Sequence, residues 1–369
     1  MVKNFFKNFA NYLMKADMIL WLLLAAISVY SLLLLRSVDS STGSSYFRTQ
    51  LVAIVLGVVG AVILSLLDYA TLANFWYLLG GASIFLMIYT ALFGDQVLGS
   101  GGVNARAWIQ IGGSTFQTSE AVKIAFILTF SKHLDTLRKR EWINRPLHVV
   151  LLGCHALVPM LLCELQGDTG AAIVFFAMFL AMSLAAGVKL RYFAILGGLV
   201  LIALPLLWQF GMDEYQKLRF IALFNLDDPN IRMDAGYQQY QGRISIGSGK
   251  LTGQGLFHGS RVASNSVPFQ QSDYIFSVAG EELGFVGCSL ILLLLLLFMA
   301  KVLHVAQTAR DDLGKYICFG YFGIIALQSI SNIGMCLALL PAMGVTLPFF
   351  SAGGSSAICM YLGFGLVQS

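Results

Sequence analysis

The chain has little charge. Asp, Glu, Lys and Arg make up 11% of its 369 residues, whereas a soluble domain carries about a quarter. With 57% hydrophobic residues, too few polar groups remain to cover a water-facing surface, and a soluble globule is excluded. Metal and redox modules are excluded by the cysteines. Cys154, Cys163, Cys288, Cys318, Cys336 and Cys359 all lie in or beside apolar runs, without CxxC spacing and without a Cys/His cluster. They read as small packing residues. A nucleotide loop is also missing. "GSGKLTGQG" suggests one, but Walker spacing requires glycine at position 244, which is Ile; the glycines read as tight turns at the membrane surface. The net charge of +4 is too small to signal nucleic acid. No A-x-A cleavage site follows the first apolar run, Met18 to Leu35, which is too long for a signal peptide. That run is expected to be an uncleaved first span.

What the chain does have is apolar runs of membrane-crossing length. A bilayer core of about 30 Å requires helices of roughly 20 apolar residues. Ten spans are predicted, near 17–36, 48–67, 73–93, 117–135, 147–165, 168–187, 190–210, 275–300, 314–338 and 346–367. The fold class is an all-α polytopic membrane protein. Residues 1–369 form a single membrane domain with one long loop at 211–272. Very short connections are expected around Gln166, Val188 and Ala342, which force antiparallel neighbours. Basic residues orient the bundle. With the N-terminus inside, the inner segments hold Lys3, Lys7, Lys15, Lys132, Arg138, Lys139, Arg140, Arg145, Lys189, Arg191, Lys301, Arg310 and Lys315. Both termini and "RKREWINR" are then cytoplasmic, and the long loop is extracytoplasmic. Within that loop, Tyr237, Tyr240 and Ile244 share one helical face. This suits a helix lying in the outer headgroup plane, or one packed on the protein.

Ionisable groups inside spans are costly and commonly face a cavity. Glu120 and Lys123 in "FQTSEAVKIAF" lie three residues apart, so they share a face and pair. The pair either holds the bundle together or lines a polar cavity. Asp168 in "ELQGDTGAA" begins a span, where it caps free amides or joins a site. Arg106 in "NARAWIQIGG" is expected in an outer loop, as a substrate contact or as a phosphate anchor beside Trp108. Asp273, in "VPFQQSDYIFSVAGEELGFVG", stands where the chain is about to enter lipid. These five come from four segments at a similar outer depth, and their convergence would make a polar site open to the outside. Glu281 lies eight residues beyond Asp273, about 12 Å along a helix, too far for a carboxylate dyad. Glu281 and Glu282 are expected to be structural, bonded to neighbouring helices. A transporter, a membrane-embedded transferase and a scaffold all remain open on these grounds.

Five motifs, in order, resemble the SEDS family (shape, elongation, division and sporulation): "FQTSEAVKIA", "QGDTGAA", "GYQQYQGRISIGSGKLTGQGLFHG", "SDYIFSVAGEELGFVG" and "NIGMCLALLPAMGVTLPFFSAGGSS". "GLFHG" looks more like the RodA branch than the FtsW branch. The family's usual prolines before Ser119 and before Asp168 are Thr118 and Gly167 here. Its usual His-Thr-Asp-Phe is Gln271-Ser272-Asp273-Tyr274. The resemblance implies a peptidoglycan glycosyltransferase of the bacterial cytoplasmic (inner) membrane that polymerises lipid II for cell-wall elongation and cell shape, inverting the sugar centre. It implies Asp273 as the general base, with Arg106, Glu120, Lys123 and Asp168 as substrate-binding residues. The leaving diphosphate calls for cations: Lys123, Arg106, loop arginines, or a divalent metal such as Mg or Mn. A class B penicillin-binding protein is the implied partner. Lipid II flipping, or activation of a penicillin-binding protein as a scaffold, are the alternative functions.

Overall fold

The computed structural model describes residues 16–98, 104–112 and 114–369. In chain order the helices are α1 (Met18–Thr42), α2 (Tyr46–Leu66), the short α3 (Tyr69–Asn74) and α4 (Trp76–Phe93). A small antiparallel sheet follows, with β1 (Asp95–Leu98), β2 (Asn104–Ile111) and β3 (Ser114–Gln117) in that spatial order. Then come α5 (Thr118–Lys139), α6 (Pro146–Leu165), α7 (Thr169–Ala185) and α8 (Leu190–Leu206), which continues as a π turn over Leu207–Gly211. The long loop folds into α9 (Glu214–Phe224), α10 (Pro229–Met233), α11 (Tyr237–Ser248) and α12 (Ser260–Ala263). The chain ends with α13 (Ile275–Gln307), α14 (Asp312–Cys336) and α15 (Gly354–Gln368).

Among the described residues, ten long helices match the ten predicted spans in order. Seven are long and apolar enough to cross a membrane by length and composition. The 17-residue α7 is slightly short, α5 carries charge, and α15 has only 15 residues. The protein is a polytopic, almost entirely helical membrane protein. Lys3, Lys7 and Lys15, used above for orientation, lie outside the described residues.

Capping carboxylates set several helix starts. Asp17 accepts from the Ile19 and Leu20 amides, Asp39 from those of Tyr46 and Phe47, and Asp311 from that of Gly314; each satisfies donors that the first helical turn leaves open. At the Asp17 end of the bundle, Lys301 of α13 pairs with Asp17 at 2.7 Å. There too, Tyr69 donates to Asp311 at 3.0 Å. Glycines allow close helix approach. A Cβ on Gly365 would lie 2.6 Å from the Ala61 carbonyl oxygen, and one on Gly57 2.8 Å from Tyr361 Cβ. Here α15 seats directly on α2, the small-residue packing that replaces a hydrophobic driving force in lipid.

One expectation needs correction. The connection at Ala342 is not a short turn. Residues 337–353 form an irregular segment in which Leu347, Pro348, Phe349 and Phe350 are buried. Its apolar composition mimics a helix, but Pro341 and Pro348 lack the amide a helix needs. Non-helical backbone survives at this depth because it is enclosed by protein. Arg106 lies in the connection between α4 and α5, as expected, where the chain forms β2. In α11 the buried face is Gln239, Gly242 and Ser245, so the helix is packed on the protein, one of the two placements its pattern allowed. A Cβ on Gly242 would lie 2.9 Å from the Tyr274 ring, and one on Gly249 would lie 1.9 Å from the Gly280 carbonyl oxygen. So α11 lies against the first turns of α13, held there by small residues.

Candidate functional site

The approach to α13 is built on a broken helix. At Gly284, φ is 65° and ψ is −157°, a conformation essentially reserved for glycine. The break frees backbone groups on both sides. The glycine-rich loop satisfies them: the amides of Gln254 and Gly255 donate to the carbonyls of Glu281 and Glu282, and the amides of Phe285 and Val286 donate to those of Lys250 and Leu251. Gly253, at φ 81°, has no room for a side chain, since a Cβ would lie 2.1 Å from the Glu282 carbonyl oxygen. The glycines of "GSGKLTGQG" therefore patch a helix break rather than merely turn at a surface. Glu281 accepts from the Arg261 amide at 2.6 Å, and Glu282 from the Ser37 hydroxyl of α1 at 2.5 Å. Both have the structural role expected of them.

Asp273 sits in the turn that feeds this helix and is only 6% exposed. Its position is set through its backbone. Asn332 of α14 donates from Nδ2 to the Asp273 carbonyl at 2.8 Å and to the Val345 carbonyl at 2.8 Å. Next to it, Ser351 donates to the Ser272 carbonyl at 2.6 Å, and the Ala352 amide donates to that of Gln271 at 2.8 Å. The irregular segment 337–353 is thus the clamp on the Asp273 turn. Strained backbone gathers here: Phe269, Ala338 and Phe349 have φ of 57°, 54° and 66°, conformations that non-glycine residues hold only when their surroundings over-determine them.

The other four predicted residues form a second cluster. Asp168 Oδ1 caps α7 through the Ala171 amide at 3.0 Å. Its Oδ2 accepts from Gln117 Nε2 at 2.7 Å and from the Ser119 hydroxyl at 3.2 Å. It is a cap and an inter-helix tie at once. Directly after Ser119 on α5, Glu120 pairs with Lys123 at 2.8 Å, with side chains 6% and 3% exposed. Arg106 is exposed, and its amide donates to the Gln166 carbonyl at 2.9 Å, which fastens β2 to the turn that carries Asp168. The two clusters meet at segment 337–353. The Val345 carbonyl faces Asn332 and the Asp273 turn. Its side chain and the Met343 backbone press on Gly170, where a Cβ would lie 2.9 and 2.5 Å from them.

The residues that join the clusters were not singled out from the sequence: Asn332, Ser351, and also Gln239, whose Nε2 donates to the Leu340 carbonyl at 2.7 Å. Their signal was present, since polar side chains amid apolar runs demand partners. Spacing alone could not say which backbone they would bond. Below the second cluster lies an apolar cavity of about 360 Å³ between α4, α5 and α6, whose lining includes Met87, Val122, Phe126 and Leu162. Gln166 closes on it by donating to the Met87 carbonyl at 2.8 Å. Among the described residues, no group of three or more His, Cys, Asp or Glu could hold a metal ion.

Comparison with known proteins places this arrangement. A family model described as "Cell cycle protein", for FtsW, RodA and SpoVE, matches residues 11–369. The chain is 32% identical over 357 residues to the peptidoglycan glycosyltransferase MrdB of Escherichia coli K12, covering 96% of this chain and 92% of that one. It is 31% identical over 340 residues to the stage V sporulation protein E of Bacillus subtilis, covering 89% and 88%. Among solved structures, it superposes on a chain of a peptidoglycan synthase complex that coordinates polymerization and crosslinking, with a TM-score of 0.80, 28% identity and 96% of each chain covered. It superposes on the rod shape determining protein RodA of Thermus thermophilus with a TM-score of 0.70 and 28% identity, covering 96% of this chain and 95% of that one.

Proposed function

The chain belongs to the family of FtsW, RodA and SpoVE cell-cycle proteins, and from that premise we propose how its buried polar groups carry out peptidoglycan glycosyl transfer. It is a membrane-embedded peptidoglycan glycosyltransferase of cell-wall synthesis, RodA-like in its similarities. The substrate we assign is lipid II, and the product a glycan strand. The observation that carries the site assignment is Asp273: a carboxylate at the mouth of a broken span, in a turn clamped on two sides. In this reading Asp273 is the general base. It takes the proton of a sugar 4-hydroxyl as that oxygen attacks the anomeric carbon and the bond to the lipid diphosphate breaks. One displacement inverts the centre. A clamped turn suits this role, because proton transfer needs the base held within hydrogen-bond reach of the hydroxyl.

The Asp168, Glu120, Lys123 and Arg106 cluster would bind substrate beside it. Asp168 and the Glu120–Lys123 pair shape a polar wall, and Arg106 meets the diphosphate from the exposed side. The apolar cavity below Gln166 has the chemistry to take part of a polyprenyl tail. The working face is the extracytoplasmic side of the bacterial cytoplasmic membrane, with both termini inside and the loop at 211–272 outside. Elongation and cell shape are the role we assign, with a single-span class B penicillin-binding protein as the crosslinking partner.

Proteoliposomes of one orientation test this directly. Lipid II on the loop-bearing leaflet is expected to be polymerised without an energy source. Lipid II confined to the opposite leaflet should stay monomeric and in place. Transfer of that confined pool across the bilayer without polymer would establish the flippase reading instead.

A further inference from the structure

The long loop carries one cation unlike its neighbours. Lys217 is paired with Glu214 at 2.9 Å. Arg261 is bonded to Gln241 and, at 3.0 Å, to Ser245. Arg232 rests on the ring of Tyr240 and bonds its hydroxyl at 3.4 Å. Arg219 of α9 is half-buried, and only one edge of its guanidinium is used. Nη1 donates to the Ala342 carbonyl at 2.8 Å, and the group lies over the Tyr215 ring, 4.9 Å from its centre. Nε and Nη2 are buried and have no hydrogen-bond partner. Those two atoms form the side-on fork with which arginine grips the two oxygens of an oxyanion. Leaving two charged N–H groups buried and unbonded is costly, and an anionic ligand would remove that cost.

The location says which anion. Ala342 lies three residues before Val345, at most about 11 Å along an extended chain. Val345 shares Asn332 with the Asp273 turn. Arg219 is also close enough to the Tyr274 hydroxyl to act on it electrostatically, and that hydroxyl is buried without a partner. The unbonded fork therefore stands on the same clamp as the acid assigned as base.

We propose that Arg219 is a binding residue for the diphosphate of the lipid-linked sugar, gripping it through Nε and Nη2; this deepens the glycosyltransferase reading and rests on it. When the sugar hydroxyl oxygen bonds to the anomeric carbon, the carbon–oxygen bond to the diphosphate breaks. The electron pair stays on the diphosphate oxygen, the hydroxyl proton goes to Asp273, and Arg219 faces the added negative charge. Its anchorage on Ala342 couples diphosphate binding to the segment that holds Asp273.

The test uses the full chain in nanodiscs and geranylgeranyl diphosphate as the probe, with geranylgeraniol as the uncharged control. Arg219→Met keeps much of the stem and removes the charge. It is expected to weaken diphosphate binding by roughly tenfold to a hundredfold, the range for a charge-assisted hydrogen bond, and to leave binding of the alcohol unchanged. Arg219→Lys keeps the charge without the fork and should recover only part of the loss; it decides the matter if the Met variant does not fold. Equal binding of the diphosphate by wild type and both variants would overturn the proposal. So would an equal loss of diphosphate and alcohol, which would mark a packing role. Displacement of the probe by a peptide carboxylate but not by inorganic diphosphate would also overturn it. None of these readouts depends on glycan synthesis, so failure of the glycosyltransferase reading would show separately, as absence of polymer from lipid II.

Discussion

Helices α8 and α14 are both spans by length and composition, yet they live in opposite environments. α8 buries no residue. α14 is buried along most of its length, and its buried residues include Gln328, Ser329, Ser331 and Asn332. The more apolar helix is the one outside. In water, apolar surface marks the core; in lipid there is no such pressure, and polar or small side chains mark it instead. Asn332 shows the consequence. Its amide would be expensive facing lipid, but inside the bundle it closes two carbonyls, one of them Asp273's.

The largest effect expected on the buried side of this comparison is at Asp273. Asp273→Asn keeps size and loses basicity. It should leave a folded protein and cut glycan synthesis by about 10²–10⁴-fold, the usual contribution of a general base, as followed by strand formation on a gel. Near wild-type polymerisation would remove Asp273 from the mechanism.

The Glu120–Lys123 pair comes next. Removing one partner of a buried pair leaves an uncompensated charge, at a cost of about 3–5 kcal/mol. Glu120→Gln and Lys123→Met should each lower stability and activity by that order, and the double variant should lose much less than the sum. Strict additivity in the double-mutant cycle would mean that the two do not act as one unit.

A smaller loss is expected at the clamp. Asn332→Ala takes the amide donor from two buried carbonyls and leaves that of Asp273 only the weak Cys336 thiol, at about 1–3 kcal/mol. The thermal midpoint should fall, and activity should fall with it because the Asp273 turn loosens. An unchanged midpoint would show that the clamp does not depend on this side chain.

The smallest effect belongs to α8. Leu201→Ala on its exposed surface should change stability by no more than about 0.5 kcal/mol and leave polymerisation untouched. A loss as large as that at Asn332 would break the contrast between the two helices and reveal a packed face on α8.

Much of the architecture was legible in composition and pattern, because lipid imposes length and hydropathy on every span. That is why nine of the ten helix starts lie within about four residues of expectation. The tenth, α15, begins at Gly354 rather than near 346. Residues 337–353 are as apolar as a span, and hydropathy cannot tell lipid-facing helix from enclosed irregular chain. The Glu120–Lys123 pair was legible because helical spacing alone brings i and i+3 together. Asp168 was legible as a cap, but its other two bonds, from Gln117 and Ser119, depend on how α5 and α7 pack.

By itself, then, the sequence determined that this is a helical membrane protein, roughly where its spans run, and which ionisable residues stand at their ends. These are local matters, set by the solvent and by spacings of a few residues. The tertiary structure alone decided that Gly284 breaks α13, that the 250–255 loop repairs the break, and that segment 337–353 joins Asp168 to Asp273. It alone left one edge of Arg219 buried and unbonded. Each of these rests on backbone groups far apart in the chain, and a hydrogen bond between distant backbones leaves no mark in the side-chain pattern of either.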